Sequence, residues 1–234
     1  MQLTFASYNI HKAVGLDRRR DPGRILAILR ELDADVIALQ EADRRFGLRE
    51  TVLPLSDIAE HTPYRPVTFS GRPHSIGWHG NALLVRRGIE VTDASVIALP
   101  MLEPRGAVRA DLLIAGRIVR IVGMHLDLSG IRRRQQVRAI LDHLGACGAA
   151  APAVLMGDFN EWSQYGGCLR AFSNSWRVLA PGRSFPSRRP VAQLDRIVVS
   201  EGWDVLHTGV HHSANAARGS DHLPVVAKLA LHKK

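Results

Sequence analysis

Short apolar runs separated by turn residues make up most of this chain, and they predict many buried strands with few helices. Glycine, proline, asparagine and aspartate bound the runs, as expected for turns. Strands are predicted at about 3–10, 36–41, 64–70, 80–85, 89–99, 106–115, 119–125, 154–157, 195–200, 203–212 and 223–231. No run approaches the roughly 20 apolar residues that a membrane span needs, so the pattern is typical of two packed sheets.

Two segments have the apolar spacing of helices that bury one face. Asp21-Pro22 begins the first, because a capping aspartate followed by proline is a common helix start. Its buried positions are Ile25, Leu26, Ile28, Leu29 and Leu32. The second is predicted at 131–145, with Ile131, Val137, Ile140, Leu141 and Leu144 on its buried side. A shorter helix is predicted at 51–61.

Several of the predicted strands end in a polar side chain. The groups at or near these ends are Asn9, Gln40-Glu41, His125, Gly157-Asp158-Phe159-Asn160, Asp195 and Ser220-Asp221-His222. Taken alone, the two-residue spacing of Asp158 and Asn160 is explained as well by a turn, with Gly157 bending the backbone and Phe159 returning to the core. Together, these oxygen and imidazole groups predict one shared polar site at one end of a sandwich.

These groups, in this order and spacing, resemble the motifs of the endonuclease/exonuclease/phosphatase superfamily. That superfamily includes deoxyribonuclease I, exonuclease III, neutral sphingomyelinases and inositol polyphosphate 5-phosphatases. The resemblance extends from residue 3 to about residue 230. It implies an α/β fold, a four-layered α-β-β-α sandwich of two mainly antiparallel or mixed sheets flanked by helices. It also implies phosphoester cleavage that depends on Mg²⁺, with Mn²⁺ as the alternative ion. The length of 234 residues separately predicts a single domain over 1–234.

The resemblance implies a role for each motif residue. Glu41 holds the metal, with Asn9 nearby and Asp221 as a further candidate ligand. The catalytic set is His125, Asp158, Asn160, Asp195 and His222. His222, polarised by Asp195, and Asp158 activate the attacking water, and either one is a candidate to take its proton. Asn160 and His125 hold the phosphate oxygens. A histidine at 125 resembles the deoxyribonuclease I and sphingomyelinase branch and differs from the abasic-site endonucleases.

Five further residues are candidates for substrate binding: His11, Lys12, Asn81, Arg105 and Arg133. The first two follow Asn9, and Asn81 begins a stretch that resembles the family's Gly-Asn-Ala segment. Arg105 and Glu103 both lie where deoxyribonuclease I-like enzymes place a glutamate that orients the active-site histidine. A solvated surface position is the alternative for Arg133 and its neighbours. The loop residues Arg72, His74 and His79, and the arginines within 180–193, are weaker candidates.

Composition narrows the class of protein. The formal charge of +9 favours a polyanionic partner, whether nucleic acid, anionic lipid or phosphorylated metabolite. Aromatic residues are only 6% of the chain, which argues against a large stacking platform for single strands. The two cysteines, Cys147 and Cys168, are too few for a disulfide framework. We expect a cytoplasmic protein without a transmembrane segment, and no obligate protein partner is indicated.

Three functions fit these observations. The first is a phosphodiesterase acting on nucleic acid, which the positive charge favours. The second is a phosphodiesterase or phosphatase acting on a phospholipid or small phosphorylated metabolite, which the compact chain favours. The third is a non-catalytic polyanion-binding protein, which the intact set of Glu41, Asp158 and His222 disfavours. Fold and metal chemistry do not choose between the first two.

Overall fold

The computed structural model describes residues 1–44, 47–48, 50–69, 74–101, 103, 105–148, 150–172 and 175–232. Within them the strands are β1 (Gln2–Asn9), β2 (Val36–Gln40), β3 (Tyr64–Pro66), β4 (Ala82–Arg86), β5 (Glu90–Ile97), β6 (Gly106–Ile114), β7 (Arg117–His125), β8 (Ala153–Asp158), β9 (Trp176–Leu179), β10 (Asp195–Ser200), β11 (Trp203–Val210) and β12 (Val225–Leu231). The α-helices are α1 (Pro22–Leu32), α2 (Leu55–His61), α3 (Gly130–Ala146) and α4 (Ala216–Gly219).

The described strands form two six-stranded sheets. The first sheet has the order β11-β12-β1-β2-β4-β3, and the second has the order β5-β6-β7-β8-β10-β9. Each contains one parallel pair, β1 with β2 and β7 with β8, and every other described pairing is antiparallel. The predicted mixed sheets are therefore confirmed.

Three apolar clusters separate the layers. One fills the space between the sheets, where Phe5 of β1 and Trp203 of β11 meet edge to face at 5.5 Å among residues of both sheets. A second packs α1 against the outer face of the first sheet, and a third packs α3 against the outer face of the second sheet. This α-β-β-α arrangement is the predicted four-layered sandwich.

Helix α1 is formed as the sequence predicts. Asp21 caps it by accepting the backbone N–H of Arg24 at 3.0 Å, and Pro22 occupies its first turn. The five predicted apolar positions are all buried. The helix ends at Leu32, where Asp33 adopts a left-handed conformation with φ 44°.

Several boundaries differ from the prediction. Helix α2 begins after Pro54, whereas it was predicted from residue 51. Strand β3, predicted at 64–70, ends at Pro66, because proline lacks the N–H that a sheet ladder needs. Strand β9 was not predicted. Ile131 was predicted to be buried in the second helix but is 63% exposed, because the helix begins at Gly130 and its first turn projects beyond the sheet. Among the described residues, no helix has the length and apolar character to cross a membrane.

Candidate active site

The registers of three neighbouring strands place the main polar side chains together. His125 of β7 lies opposite Asp158 of β8, and Asp158 lies opposite Asp195 of β10. In the facing sheet, Asn9 ends β1 and is paired with Gln40 at the end of β2. The side-chain amide of Asn9 donates to Asp158 Oδ2 at 3.1 Å across the sandwich. The ends of both sheets therefore converge on one site, as the sequence predicts.

Asp158 is the centre of this site. Its Oδ2 lies 3.4 Å from His125 Nε2 and 3.7 Å from His222 Nε2, in addition to the hydrogen bond from Asn9. Its Oδ1 accepts the backbone N–H of Asn160 at 2.9 Å. Burial raises the pKa of Asp158 to about 6, against the opposing charge of His222. The carboxylate is therefore mostly ionised at neutral pH while remaining poised to accept a proton.

His222 lies between two carboxylates. Its Nδ1 is 2.9 Å from Asp195 Oδ2, and the Ser184 hydroxyl donates to the same oxygen. Burial alone would lower the pKa of His222, but the charges of Asp195 and Asp158 outweigh it and raise the pKa to about 10. The imidazole is therefore protonated at neutral pH and directs Nε2 towards Asp158.

His125 has a different electrostatic environment. The Arg105 guanidinium contacts its imidazole through Nη1, which lies 3.0 Å from Nδ1, and Glu103 lies 3.5 Å from Arg105 Nη2. Burial, and then the positive charge of Arg105, hold the pKa of His125 well below its usual range. Of the two residues proposed from the sequence at this position, Arg105 is the one that contacts the histidine. A neutral imidazole and a guanidinium thus lie side by side.

Glu41 follows β2 and faces the lysine of the first loop. Lys12 Nζ contacts Glu41 Oε2, and both side chains are largely buried. Burial would raise the pKa of Glu41, but the hydrogen bond and charge of Lys12 outweigh it and lower that pKa. Gly80 approaches closely, since a Cβ there would lie 3.2 Å from the Glu41 Cα. A side chain at this position would crowd the backbone of Glu41, and the φ of +80° at Gly80 also favours glycine.

Left-handed backbone recurs around the site. His11, Lys12, Glu41 and Asn160 have φ values of 45°, 57°, 56° and 50°. Residues other than glycine adopt this region at an energetic cost, and such residues are often found at functional sites. Here the backbone turns sharply at these residues, at or just beyond the ends of β1, β2 and β8.

The remaining predicted residues lie at the margin of the site. Asp221 is partly exposed, and its Oδ1 is 3.9 Å from His11 Nδ1. The Asn160 amide donates to the Leu126 carbonyl at 2.9 Å, which fixes the loop after β7. Asn81 is buried and donates to the Trp78 carbonyl at 3.2 Å, and its Oδ1 has no hydrogen-bond partner among the described residues.

The guanidinium of Arg133 bonds to protein groups of two neighbouring loops. Its Nη2 lies 3.3 Å from Glu161 Oε2, and its Nη1 donates to the Leu128 carbonyl at 2.7 Å. The side chain is buried, which neither predicted alternative anticipated. Arg133 joins α3 to the loop after β8. Of the weaker loop candidates, Arg72 lies outside the described residues, and His79 packs against Trp78 at 4.9 Å.

Comparison with known proteins identifies the family. The model described as "Endonuclease/Exonuclease/phosphatase family" matches residues 6–222. The chain belongs to this family. Members of the family are hydrolases that act on phosphoester bonds, and so is this chain. The uncharacterized protein YbhP of Escherichia coli (strain K12) is 26% identical over 245 residues, which cover 95% of this chain and 94% of YbhP.

Solved structures share the fold. The mannosyl-6-phosphatase Bt3783 of Bacteroides thetaiotaomicron VPI-5482 has a TM-score of 0.75 at 21% identity, covering 98% of this chain and 100% of that protein. D. rerio TDP2 complexed with single strand DNA product also has a TM-score of 0.75, at 15% identity, covering 98% and 99%. At these identities the likeness establishes the endonuclease/exonuclease/phosphatase fold alone.

The family depends on a divalent metal, and the side chains around Glu41 fit one. Mg²⁺ takes one or two carboxylates and keeps several waters, so a single carboxylate such as that of Glu41 is enough to hold one. The ammonium of Lys12 already meets the Glu41 carboxylate, which shows that this position attracts a cation. Asp158, Asp195 and His222 also lie within 4.8 Å of one another. In that group the Nδ1 of His222 is occupied by Asp195.

Three contacts of this family site were not predicted from the sequence. Ser184 donates to Asp195, and Ser220 donates to the Asn9 carbonyl at 2.6 Å. The Phe185 ring lies 4.8 Å from the His222 ring. The sequence offered only local signals for these contacts. Ser220 stands directly before Asp221-His222, and Ser184-Phe185 lie within 180–193, the segment whose arginines are weaker candidates for substrate binding. Each contact joins residues that are separated in the chain.

Proposed function

We propose that this chain is a Mg²⁺-dependent phosphodiesterase that cleaves nucleic acid by in-line attack of water, with residues 1–234 as one catalytic domain. The observation that carries the proposal is the convergence on Asp158 Oδ2 of Asn9, His125 and His222. The Asp158 carboxylate thus lies beside two imidazoles, that of His125, whose pKa is lowered, and that of His222, whose pKa is raised. Such pairs, whose pKa values are shifted in opposite directions, mark acid and base roles.

The charges of the site suggest how the water is activated. Asp158 is ionised, buried and within reach of His222, so it is positioned to orient the water and accept its proton. His222 is held as an imidazolium by Asp195 and stabilises the charge that develops on the phosphoryl oxygens. This assignment chooses Asp158 as the proton acceptor, one of the two alternatives that the sequence leaves open.

Two further groups bind the phosphate. Arg105 presents a guanidinium whose side chain is only 14% exposed, and it lies against the neutral imidazole of His125. The planar guanidinium matches two phosphate oxygens at once, and the imidazole N–H adds a third donor. When bound at Glu41, a divalent cation supplies positive charge that stabilises the leaving oxygen.

The case for nucleic acid rests on charge and on similarity. The formal charge is +9. Because several of the acidic residues lie in the site, the remaining surface is strongly basic. Exposed arginines include Arg183, Arg188 and Arg189, on the segment that packs against the His222 turn. TDP2, which has the same fold, was crystallised with a single-stranded DNA product. A polyanionic backbone is the ligand that such a field attracts.

A small phosphoester, phospholipid or phosphorylated metabolite is the second candidate substrate. It is supported by the likeness to a mannosyl-6-phosphatase, which covers 98% of this chain. A non-catalytic role as a polyanion-binding protein has little support, since each motif side chain is present in the site. The ionised Asp158 and the His222–Asp195 pair would have no purpose in a scaffold.

A substrate panel tests the proposal. Purified protein is incubated with supercoiled plasmid, a single-stranded oligonucleotide, bis(p-nitrophenyl) phosphate and p-nitrophenyl phosphate, each with Mg²⁺, Mn²⁺ or EDTA. We expect metal-dependent cleavage of the nucleic acids and of the generic diester, which His222→Ala abolishes. Release of phosphate from the monoester alone, with the nucleic acids intact, would replace the proposal by the second candidate.

A further inference from the structure

Two aromatic side chains form a step beside the catalytic histidine. Phe185 lies 4.8 Å from the His222 ring at an interplanar angle of 45°, and Trp162 meets Phe185 edge to face at 6.5 Å. Trp162 is 64% exposed, while Phe185 is partly buried between it and His222. We call Trp162 and Phe185 the aromatic step. It extends from the reacting groups to solvent.

The loop that carries Trp162 is firmly held. The neighbouring Glu161 carboxylate accepts the backbone N–H groups of Ser163 and Cys168, both at 3.1 Å, and also bonds to Arg133. A large indole ring is thus held in solvent by a backbone that its neighbours fix. A single exposed apolar side chain is common on protein surfaces, but this one continues an aromatic surface that begins at His222, and contiguous apolar surface of this kind is often a binding site.

The loop that carries Phe185 is held as well. Phe185 pairs with Ala192 across a tight turn, and Ser187 donates its backbone N–H to the Asp221 carbonyl at 2.7 Å. The same serine donates its hydroxyl to the Ser220 carbonyl at 2.6 Å. The Phe185 ring is therefore positioned against His222 by the hydrogen bonds that also fix the His222 turn. The aromatic step and the catalytic histidine form one preorganised unit.

We propose that the aromatic step is the subsite for an unpaired nucleobase next to the scissile phosphate. This inference rests on the proposed function and makes single-stranded nucleic acid the preferred substrate. A base in a duplex is already stacked on both faces, whereas a splayed base is free to stack on an aromatic side chain. The overall aromatic content of 6% predicted little stacking, but the structure places one of these rings against His222 and a second ring against the first.

Charge on the same segment supports a nucleotide over an acyl chain as the occupant. Arg183 and Arg188 are exposed on either side of Phe185 in the chain, so the segment that carries the step also carries positive charge that can attract flanking phosphates. A nucleotide strand has flat bases that stack on apolar rings and phosphates that bind positive charge, so an aromatic side chain between arginines suits both parts. An acyl chain needs only the apolar part.

The test compares two dinucleotides that differ only in their bases. One is thymidylyl-thymidine, and the other carries a tetrahydrofuran residue in place of each thymidine. We expect wild-type kcat/KM to be about tenfold higher or more for the base-bearing substrate, as expected for one stacked base. Trp162→Ala should abolish this preference by lowering kcat/KM for thymidylyl-thymidine to about the value for the abasic substrate. Trp162→Phe, which keeps an aromatic face, should retain most of it.

Leu113→Ala is the matched control, because Leu113 is an exposed apolar side chain at the far end of β6 from the site. It should leave both substrates unaffected, and thermal unfolding should show that each variant is folded. Equal wild-type rates on the two dinucleotides would overturn the subsite while leaving the nuclease intact. Activity on anionic phospholipid vesicles that Trp162→Ala abolishes, with neither dinucleotide cleaved, would overturn both the subsite and the proposed nucleic-acid substrate.

Discussion

His222 and Asp195 form a buried pair in which Nδ1 and Oδ2 are 2.9 Å apart and neither side chain is more than 6% exposed. A second pair of the same chemistry, His232 with Asp204, has the same 2.9 Å separation but is about half or more exposed. The surface pair gives a control within the same chain. A loss of activity that follows a change in the buried pair, and not the same change in the exposed pair, must therefore come from the buried position of His222 and Asp195 beside Asp158.

Asp195→Asn is expected to lower kcat about 100-fold or more with little change in KM, because the amide no longer holds His222 as an imidazolium. Asp204→Asn should leave both constants unchanged. Steady-state kinetics on a generic phosphodiester, with thermal unfolding as a check on folding, measures this. An equal loss in the two variants would remove the special role of the buried pair.

Glu41→Gln is expected to abolish the stabilisation of the fold by Mg²⁺. A ligand that binds only the folded protein stabilises it by about 2.7 kcal/mol at 100 times its dissociation constant. Titration of Mg²⁺ should therefore raise the thermal midpoint of the wild type and of the control Glu90→Gln, which changes an exposed carboxylate on β5. A shift of wild-type size in Glu41→Gln would show that the metal binds elsewhere.

Gly157→Ala is expected to destabilise the fold by about 2 to 3 kcal/mol, because a side chain there overpacks the strand junction. The added Cβ would lie 1.9 Å from the Met124 carbonyl oxygen, which is backbone and has no room to move. Gly145→Ala in α3 is the control, since nothing lies within 4 Å of its Cβ. Alanine there should raise stability by up to about 1 kcal/mol. Urea unfolding of both variants checks this, and similar stabilities would contradict it.

Asp111 is expected to link stability to pH at a place remote from the active site. Arg120 binds it through two parallel contacts of 2.8 Å, and Arg109 adds a third at 2.8 Å. Burial would raise the pKa of Asp111, but Arg120 and Arg109 outweigh it and lower that pKa. A lowered pKa means that folding favours the carboxylate, so this stabilisation is present above about pH 4 and is lost as pH falls through the folded-state value.

Asp111→Asn should accordingly lower the free energy of unfolding by about 2 kcal/mol at pH 7, and the difference from wild type should shrink below pH 4. Asp142→Asn, which changes an exposed carboxylate on α3, should have little effect at either pH. Urea unfolding at pH 7 and pH 3.5 gives both differences. A constant difference for Asp111→Asn across this range would contradict the linkage.

The sequence predicted the residues that end buried strands, because a strand's period and the group at its end are local features. Asn9, His125, Asp158 and Asp195 are where the pattern places them, and the sheet registers bring them together. The four layers follow from the same pattern, since the apolar faces of the helices must pack on the sheets.

Contacts between distant segments were not predictable in this way. The burial of Arg133 depends on Glu161, 28 residues away, and that pairing turns an apparent phosphate ligand into a link between loops. Arg105 and Glu103 were equivalent candidates until the loop geometry placed Arg105 against His125. The contact of Phe185 with His222 depends on hydrogen bonds between two loops, and neither loop has a periodic pattern.

Cleavage of a single-stranded oligonucleotide by wild type and Asp158→Ala, each with Mg²⁺ or with EDTA, tests the central claim most directly. We expect cleavage only with metal, and we expect Asp158→Ala to cleave about 1,000-fold more slowly than the wild type. Far-UV circular dichroism and thermal unfolding of the variant establish that it is folded. Cleavage by Asp158→Ala at the wild-type rate, or equal cleavage in EDTA, would contradict the assignment of Asp158 as the proton acceptor of a metal-dependent phosphodiesterase.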